Sequence, residues 1–307
     1  MKSEIPELFK ERYCSIVDDQ DSFLESIKSF RPKSYRINTI KATKDEILSR
    51  FSGYGIESKP VSWCDYAFVS DNLEIGSTLE HFLGKIYIQE LTSMLPPLVL
   101  SSEIEKNDNP FILDSCAAPG SKTTQLAAIM QNRGAVVAND IDYGRIRALR
   151  FNVERLGALN TIITNQDFRT YPELKFDHVL LDAPCSAEGT ARKNYDVFRI
   201  WSERKILSCA NLQKQLILKG FDLLKEGGSM VYSTCTFAPE ENEAVVDYLL
   251  KKRPDAKLES ISIEGINHSK GLKSFRDLEF DSSIEKCVRI WPHQNDTDGF
   301  FLVKVTK

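Results

Sequence analysis

The 307-residue sequence has no surplus of positive charge, no paired cysteines, no long apolar run and few glycines where a phosphate loop would want them. Forty Lys and Arg face 44 Asp and Glu, a net of −4. That excludes a basic coat protein, so any RNA or DNA contact must come from a local basic patch. None of the seven cysteines stands in a C-x-x-C pair. Neither a zinc ribbon nor a disulfide framework is therefore expected, no metal is assigned, and reduced thiols in the cytoplasm are the natural reading. No stretch approaches the roughly 20 apolar residues that span a bilayer, and the charged start MKSEIPELFKER lacks a signal-peptide core, so no membrane contact is expected. Neither a repeat nor a low-complexity tail is present.

What is present centres on Phe111 to Met130, FILDSCAAPGSKTTQLAAIM. A short apolar run ends on Asp114, a turn of small residues follows, and a helical pattern carries Leu126, Ile129 and Met130. A strand, a tight turn and a helix start together offer backbone N–H groups and a positive dipole end to a ligand. Asp140 follows the strand-like run 135–138 and lies twenty positions beyond Gly120, a separation that suits a carboxylate gripping ribose hydroxyls. The single glycine of this stretch is too few for a dinucleotide fingerprint, and Ser121 between Gly120 and Lys122 spoils a P-loop. S-adenosylmethionine, which has no pyrophosphate to wrap, suits such a loop.

In chain order, residues 1–105 read as a small α+β module. Helical stripes (Ile5, Leu8, Phe9, Ile16, Val17; then Phe23, Leu24, Ile27, Phe30) precede a strand over 35–40. A capping box at Thr43–Glu46 opens a helix that stops at Gly53, and strands return over 61–69 and 85–89. A helix over 89–100 leads to a polar linker at 101–109. In residues 106–307 strands and helices alternate, which predicts a parallel sheet with helices on both faces, closed by an antiparallel hairpin of 287–291 and 300–305. That is the class I, Rossmann-like methyltransferase architecture. Asp114, Asp140, Asp167 and Asp182 each follow a strand, on the edge where such sheets bind ligands.

Two stretches add chemistry. Asp182-Ala183-Pro184-Cys185 follows the fourth strand and Ser233-Thr234-Cys235 the fifth, which puts two thiols on adjacent strand ends. Cys14, Cys64, Cys209 and Cys287 read instead as small buried hydrophobes. A thiol beside a methyl-sulfonium donor suits methylation of a pyrimidine at carbon 5: a thiolate adds to carbon 6, and the enamine so formed attacks the methyl group. Asp182 would stabilise charge developing on the ring, and Lys122 would favour thiolate over thiol.

DSCAAPGSKT, ANDID, DAPCSAEGT, STCTF followed by APEENE, and the closing DGFF together resemble the Sun/Nop-type (RsmB-like) RNA cytosine-5 methyltransferases, over about Tyr35 to Val305. The resemblance implies Cys235 as nucleophile and Cys185 as the second cysteine that helps release product, with Lys122 and Asp182 contacting cytosine. It implies that Cys116, Ala117, Ala118, Pro119, Gly120, Ser121, Lys122, Asp140, Arg145, Asp167 and Asp182 line the S-adenosylmethionine site, and that the first module is RRM-like. The sequence departs from some members in leaving no room for a PUA-type RNA-binding domain. Its layout is most similar to compact archaeal transfer-RNA enzymes, although ribosomal-RNA members share every motif. An RNA substrate, transfer RNA first, is the expected partner of a monomeric chain.

Rival readings are a DNA-type enzyme using Pro184-Cys185, an amino-nitrogen methyltransferase, whose Asp/Asn-Pro-Pro-aromatic motif is missing, and an inactive RNA-binding scaffold. RNA is expected to meet Lys33 and Arg36, on a basic side completed by Lys41 and Lys44, together with Arg192-Lys193 near Cys185.

Overall fold

The computed structural model describes residues 5–307. Two helices come first, α1 (Glu7–Cys14) and α2 (Gln20–Lys28), the second capped by Asp19, which accepts from the Ser22 N–H at 3.0 Å. Phe9, Tyr13, Phe23 and Ile27 pack with Phe198, Phe237 and Trp291. The helices therefore brace the C-terminal part of the chain and stand apart from the module predicted for residues 1–105. Their apolar stripe is also narrower than predicted, since Leu8 and Phe30 stay exposed.

The module itself runs β1 (Lys33–Ile37), α3 (Lys44–Gly53), β2 (Lys59–Val61), β3 (Cys64–Ser70), α4 (Leu79–Phe82) and β4 (Ile86–Ile88). Its antiparallel sheet has the order β2-β3-β1-β4, the split β-α-β topology of an RRM-like unit. Half of the capping box forms: Thr43 accepts from the Glu46 N–H at 3.3 Å, while the Glu46 carboxylate turns to Lys85. Tyr35, Ile37, Phe68 and Ile86 bury one sheet face against Ile47 and Phe51 of α3.

Alternate residues of a strand face the other way, and that second face is occupied too. Arg36 is 0% exposed and donates to Gln89 Oε1 (2.8 Å), Ser121 O (3.2 Å) and Thr124 Oγ1 (2.6 Å). Asn38 donates to Leu156 O at 2.8 Å. The face on which an RRM stacks bases is thus docked on the rest of the protein, and Arg36 belongs to no RNA patch. A buried guanidinium needs such partners to offset its desolvation.

Helix α5 (Leu95–Ile104) enters after a 3-10 turn at Thr92–Met94 and continues through half of the predicted linker. Leu100 and Ile104 pack with Ile112, Leu126, Met130 and Val231, so this helix is a layer of the large sheet and packing does not divide at residue 105. Then follow β5 (Phe111–Asp114), α6 (Ser121–Ile129), β6 (Ala135–Asn139), α7 (Tyr143–Leu156), β7 (Thr161–Thr164), β8 (Phe176–Asp182), α8 (Val197–Ile200), α9 (Glu203–Asp222), β9 (Leu224–Thr234), α10 (Glu243–Lys252), β10 (Lys257–Glu259), β11 (Ser269–Lys270), a small hairpin of β12 (Ser274–Phe275) and β13 (Leu278–Glu279), β14 (Val288–Ile290), α11 (Pro292–Asn295) and β15 (Phe300–Thr306).

The sheet order is β11-β14-β15-β9-β8-β5-β6-β7, with β10 added to β15. Strands β5 to β9 are parallel, and β15 and β14 return antiparallel. One face is covered by α9 and α10 through Leu216, Ile217, Phe221, Val245 and Leu249. The other carries α5, α6 and α7. Among the described residues no helix is long and apolar enough to cross a membrane.

Candidate functional site

The carboxyl ends of β5, β6, β8 and β9 converge on two clefts. Between β5 and α6 the chain turns at Gly120, whose φ of +100° is a left-handed conformation few other residues adopt; a Cβ there would press on Leu149 at 3.0 Å. Gly120 lines neither cleft, so its part is the turn itself.

The first cleft, about 420 Å³, is lined by Cys116, Ala118, Asp140, Arg145, Asp167 and Asp182, with apolar Phe168, Leu212 and Leu216. Its size is that of a small-molecule site. Carboxylates for hydroxyls and for a positive charge, beside apolar side chains for a base, could hold S-adenosylmethionine. Asp140 is 2% exposed and accepts from the N–H groups of Ala118 (3.1 Å) and Asp142 (3.0 Å). Two such bonds do not exhaust a carboxylate's roughly four acceptor sites. Asp167 is engaged by Arg169, whose Nε donates at 2.9 Å.

The second cleft, about 300 Å³, takes in Ala117, Pro119, Ser121 and Lys122, together with Glu90, Ser93, Lys193, Asp298 and Phe300. Five residues belong to both clefts: Cys116, Ala118, Arg145, Asp182 and Cys235. Lys122 and Asp182 are joined at 2.7 Å; Ser93 Oγ accepts from Lys122 Nζ at 3.0 Å, and Ser233 Oγ donates to Asp182 at 2.8 Å. Burial pulls Lys122 down, but Asp182 and Asp114 outweigh it and hold the ammonium raised. Burial pushes Asp114 up to about 7 despite the bond from Thr123 Oγ1 at 2.6 Å.

The two sulfurs, Cys185 Sγ and Cys235 Sγ, lie 3.3 Å apart. Contact with Cys235, then burial, pushes the Cys185 thiol well up. Burial also raises Cys116, which marks it as wall rather than reagent. Of the four cysteines read as small buried hydrophobes, Cys64 and Cys287 are buried, whereas Cys14 and Cys209 are only half-buried.

Sequence reasoning missed the acids behind the cysteines. Glu241 accepts from the Ser186 N–H at 3.0 Å and from Gln213 Nε2 at 2.8 Å. Glu188 accepts from Tyr13 OH at 2.6 Å and Thr236 Oγ1 at 2.8 Å, and Trp201 also donates to it. Both were visible only as letters in DAPCSAEGT and APEENE. Ser93, and Phe300 of the closing DGFF, receive no role from the sequence, since each reaches Lys122 from far along the chain.

The predicted basic patch is half dismantled. The Arg192 side chain is 1% exposed and ties together Thr297 O (2.9 Å), Ser29 Oγ (3.0 Å), Phe30 O (3.1 Å) and Asp296 (2.6 Å). Lys193 does stand exposed on the rim of the second cleft. A larger recess of about 740 Å³ lies between Ser62-Trp63 and 260–265, but its lysine, Lys304, is held by Glu103 and Glu259 and no thiol lines it. Among the described residues no group of His, Cys, Asp and Glu is placed to hold a metal ion.

The profile of the 16S rRNA methyltransferase RsmB/F family matches residues 101–306, and that of the N-terminal domain of 16S rRNA methyltransferase RsmF matches residues 5–91. A ribosomal RNA small subunit methyltransferase F from Shewanella woodyi is 40% identical, covering 94% of this chain and 59% of that protein. A tRNA (cytosine(49)-C(5))-methyltransferase from Pyrococcus abyssi is also 40% identical, covering 97% of this chain and 94% of that one. A methyltransferase homologue from Pyrococcus horikoshii superposes with a TM-score of 0.85 at 33% identity, over 98% and 95% of the two chains. The chain spans less than two thirds of the length of the bacterial relatives it matches. With the predicted sheet, strand-end acids and paired cysteines all in place, these matches show that the chain belongs to the RsmB/F family of methyltransferases.

Proposed function

We propose that this chain methylates carbon 5 of cytidine in RNA, with S-adenosylmethionine as donor and Cys235 as nucleophile. The observation that carries the reading is the pair of sulfurs 3.3 Å apart together with the Lys122–Asp182 ion pair, of which Cys235 and Asp182 border both clefts. Bound in the first cleft, S-adenosylmethionine would supply a methyl group made electrophilic by its sulfonium. The second cleft would hold the base, drawn out of its stack.

The Cys235 sulfur forms a bond to carbon 6, which makes carbon 5 nucleophilic. Addition puts negative charge on the ring. The Lys122 ammonium, held by Asp182 and Ser93, would offset it, and Asp182 would meet it only as the donor of a shared proton to the ring nitrogen. A raised Cys185 keeps its proton and can offer it to the neighbouring sulfur, which favours Cys235 as the attacking thiolate. After transfer, the carbon-5 proton must leave and the carbon–sulfur bond must break. In that step Cys185, having given up its own proton, would take the carbon-5 proton; the C–H electrons restore the 5,6 double bond and Cys235 leaves carbon 6 as thiolate. Asp140 and Asp167 would hold the ribose.

Transfer RNA is the proposed substrate, because the match to the Pyrococcus abyssi enzyme runs through 94% of that enzyme. Small-subunit ribosomal RNA is the second reading, favoured by the match to the RsmF N-terminal domain. Bisulfite sequencing of both RNAs after incubation with the protein and S-adenosylmethionine separates the two.

The mechanism is tested with two variants. Cys235→Ala should lose turnover and any covalent link to RNA. Cys185→Ala should transfer the methyl group and stall, leaving a detergent-resistant slow band on a denaturing gel with labelled RNA. An adduct kept by Cys235→Ala and lost by Cys185→Ala would reverse the two roles. No adduct and no methyl transfer by wild-type protein would favour the scaffold reading.

A further inference from the structure

Away from both clefts, a recess of about 430 Å³ opens where the N-terminal module meets α7. Its walls are Phe82, 74% exposed, and Phe151, 61% exposed. Tyr87, His81, Asn152 and Arg155 complete the lining. The Arg155 guanidinium lies 5.7 Å from the centre of the Tyr87 ring and 5.9 Å from that of Phe151. Its Nε is buried without a hydrogen-bond partner. Two large apolar rings left in water at the mouth of a recess mark an interaction site.

The charge around them says what for. On a chain of net −4, α7 bears Arg145, Arg147, Arg150 and Arg155 against Glu154 alone. Arg145 pairs with Asp140, Arg150 with Glu154, and Arg155 donates to His81 O and Asn152 Oδ1, so the helix carries a positive excess spread around its exposed faces. Burial and the nearby Arg155 lower His81, which leaves it neutral near pH 7. Exposed rings interleaved with guanidinium groups are the features that bind unpaired nucleic acid: rings stack on bases of any sequence, and cations hold the phosphates.

The wall of the recess adjoins the wall of the second cleft. Asn152 Nδ2 donates to Pro119 O at 2.9 Å, Pro119 lines the second cleft, and Arg145 lines both. Arg145 and Asn152 are seven residues apart on α7, about 10 Å of helix rise. That is the length of about three stacked nucleotides at roughly 3.4 Å each.

We propose that this recess is a stacking subsite for an unpaired base of the RNA, about three nucleotides from the cytidine in the second cleft. The assignment rests on the RNA reading above and adds to it where the strand runs. It also replaces Arg36 and Arg192, both buried, as the site of RNA contact.

The probes are two fluorescein-labelled oligoribonucleotides, a mixed-sequence octamer with one central cytidine and a trimer centred on it, with affinity read by anisotropy. The double variant Phe82→Ala/Phe151→Ala should bind the octamer about tenfold to a hundredfold more weakly than wild type, the loss expected for unstacking one base. Its affinity for the trimer should be unchanged. Phe82→Tyr/Phe151→Tyr, which keeps the rings, should restore octamer binding. An abasic position three nucleotides from the cytidine should weaken the wild type and leave the alanine variant unaffected. Equal octamer affinity in wild type and alanine variant would overturn the subsite and spare the RNA reading, provided wild type still methylates RNA. So would loss of a sedimenting dimer in the alanine variant with RNA affinity intact, which would make the recess a protein contact. Wild type that binds neither RNA would sink both readings.

Discussion

The two cysteine loops begin alike, at the ends of neighbouring parallel strands, and are held in place by opposite means. The loop after β8 hangs on carboxylates. Glu241 takes the Ser186 N–H and Gln213, and Gln213 also donates to Pro184 O at 2.9 Å; one turn further on, Glu188 gathers Tyr13, Thr236 and Trp201. The loop after β9, which itself carries Glu241 and whose Thr236 donates to Glu188, is held mainly through its backbone carbonyls. Cys235 O accepts from the Gly189 N–H at 2.9 Å, Thr236 O from Asn242 Nδ2 at 3.0 Å, and Phe237 O from Arg289 Nη1 at 3.0 Å. Arg289 in turn pairs with Glu243, whose side chain is 0% exposed. Burial pushes Glu241 up to about 7 and raises Glu188, so the first loop rests on carboxyls that burial disfavours in their charged form. The second also rests on the buried Arg289–Glu243 ion pair and on the Asn242 amide. Cys235 thus sits on the loop whose carbonyls are pinned by Arg289 and Asn242, and Cys185 on the loop whose backbone and side chains hang on Glu241, with Thr236 and Glu241 tying the two together.

Removing the fixed support should do most harm. Arg289→Met leaves Glu243 buried and unpaired, which should cost about 3–5 kcal/mol. Denaturant unfolding measures it, and a loss below about 1 kcal/mol would mean the second loop is not braced this way.

A smaller effect belongs to the titrating support. A carboxyl raised in the folded state adds stability that is complete below the ordinary value of 4.5 and is lost as pH rises to about 7. At about 1.4 kcal/mol per unit, the loss across that window is at most about 3 kcal/mol. Glu241→Gln stays neutral and can keep the bond from the Ser186 N–H. Its urea midpoint should therefore vary less than that of wild type between about pH 5 and about pH 8. Parallel profiles for the two proteins would remove the contrast between the loops.

The smallest effect is expected from Tyr13→Phe, which deletes one donor to Glu188 and should cost about 1 kcal/mol. Single-turnover kinetics sharpen the comparison. The variant should slow product release and spare adduct formation, because Tyr13 supports the Cys185 side. The reverse pattern would assign its brace to the Cys235 loop.

Local pattern was enough for much of this architecture. Alternation of strands and helices located the parallel sheet, and acids after strands located its ligand edge, because both follow from the periodicity of short segments. Cys185 and Cys235 were visible for the same reason, since each directly follows a strand. What local pattern cannot show is which side chains face one another across the fold. Arg36 and Arg192 carry charge in the sequence like any surface arginine, yet one fastens the module to α6 and the other pins Ser29 to Asp296. The first two helices look like part of the nearest module by proximity in the chain. Aromatic packing across some 180 residues or more, Phe9 and Tyr13 on Phe198 and Phe237, sends them to the far side.

The wall shared by the two clefts has a practical consequence for ligand design. Cys116, Ala118, Arg145, Asp182 and Cys235 each border both spaces, so the two cavities meet with little more than one side chain between them. A single molecule carrying a nucleoside at one end and a pyrimidine at the other, joined by a linker of a few atoms, would fill both at once. Its second half would bind at an effective concentration set by the linker, which for short spans is in the millimolar range. Translational freedom would be lost once instead of twice. An electrophile in the linker would then lie beside Cys235, where a covalent trap has most to gain.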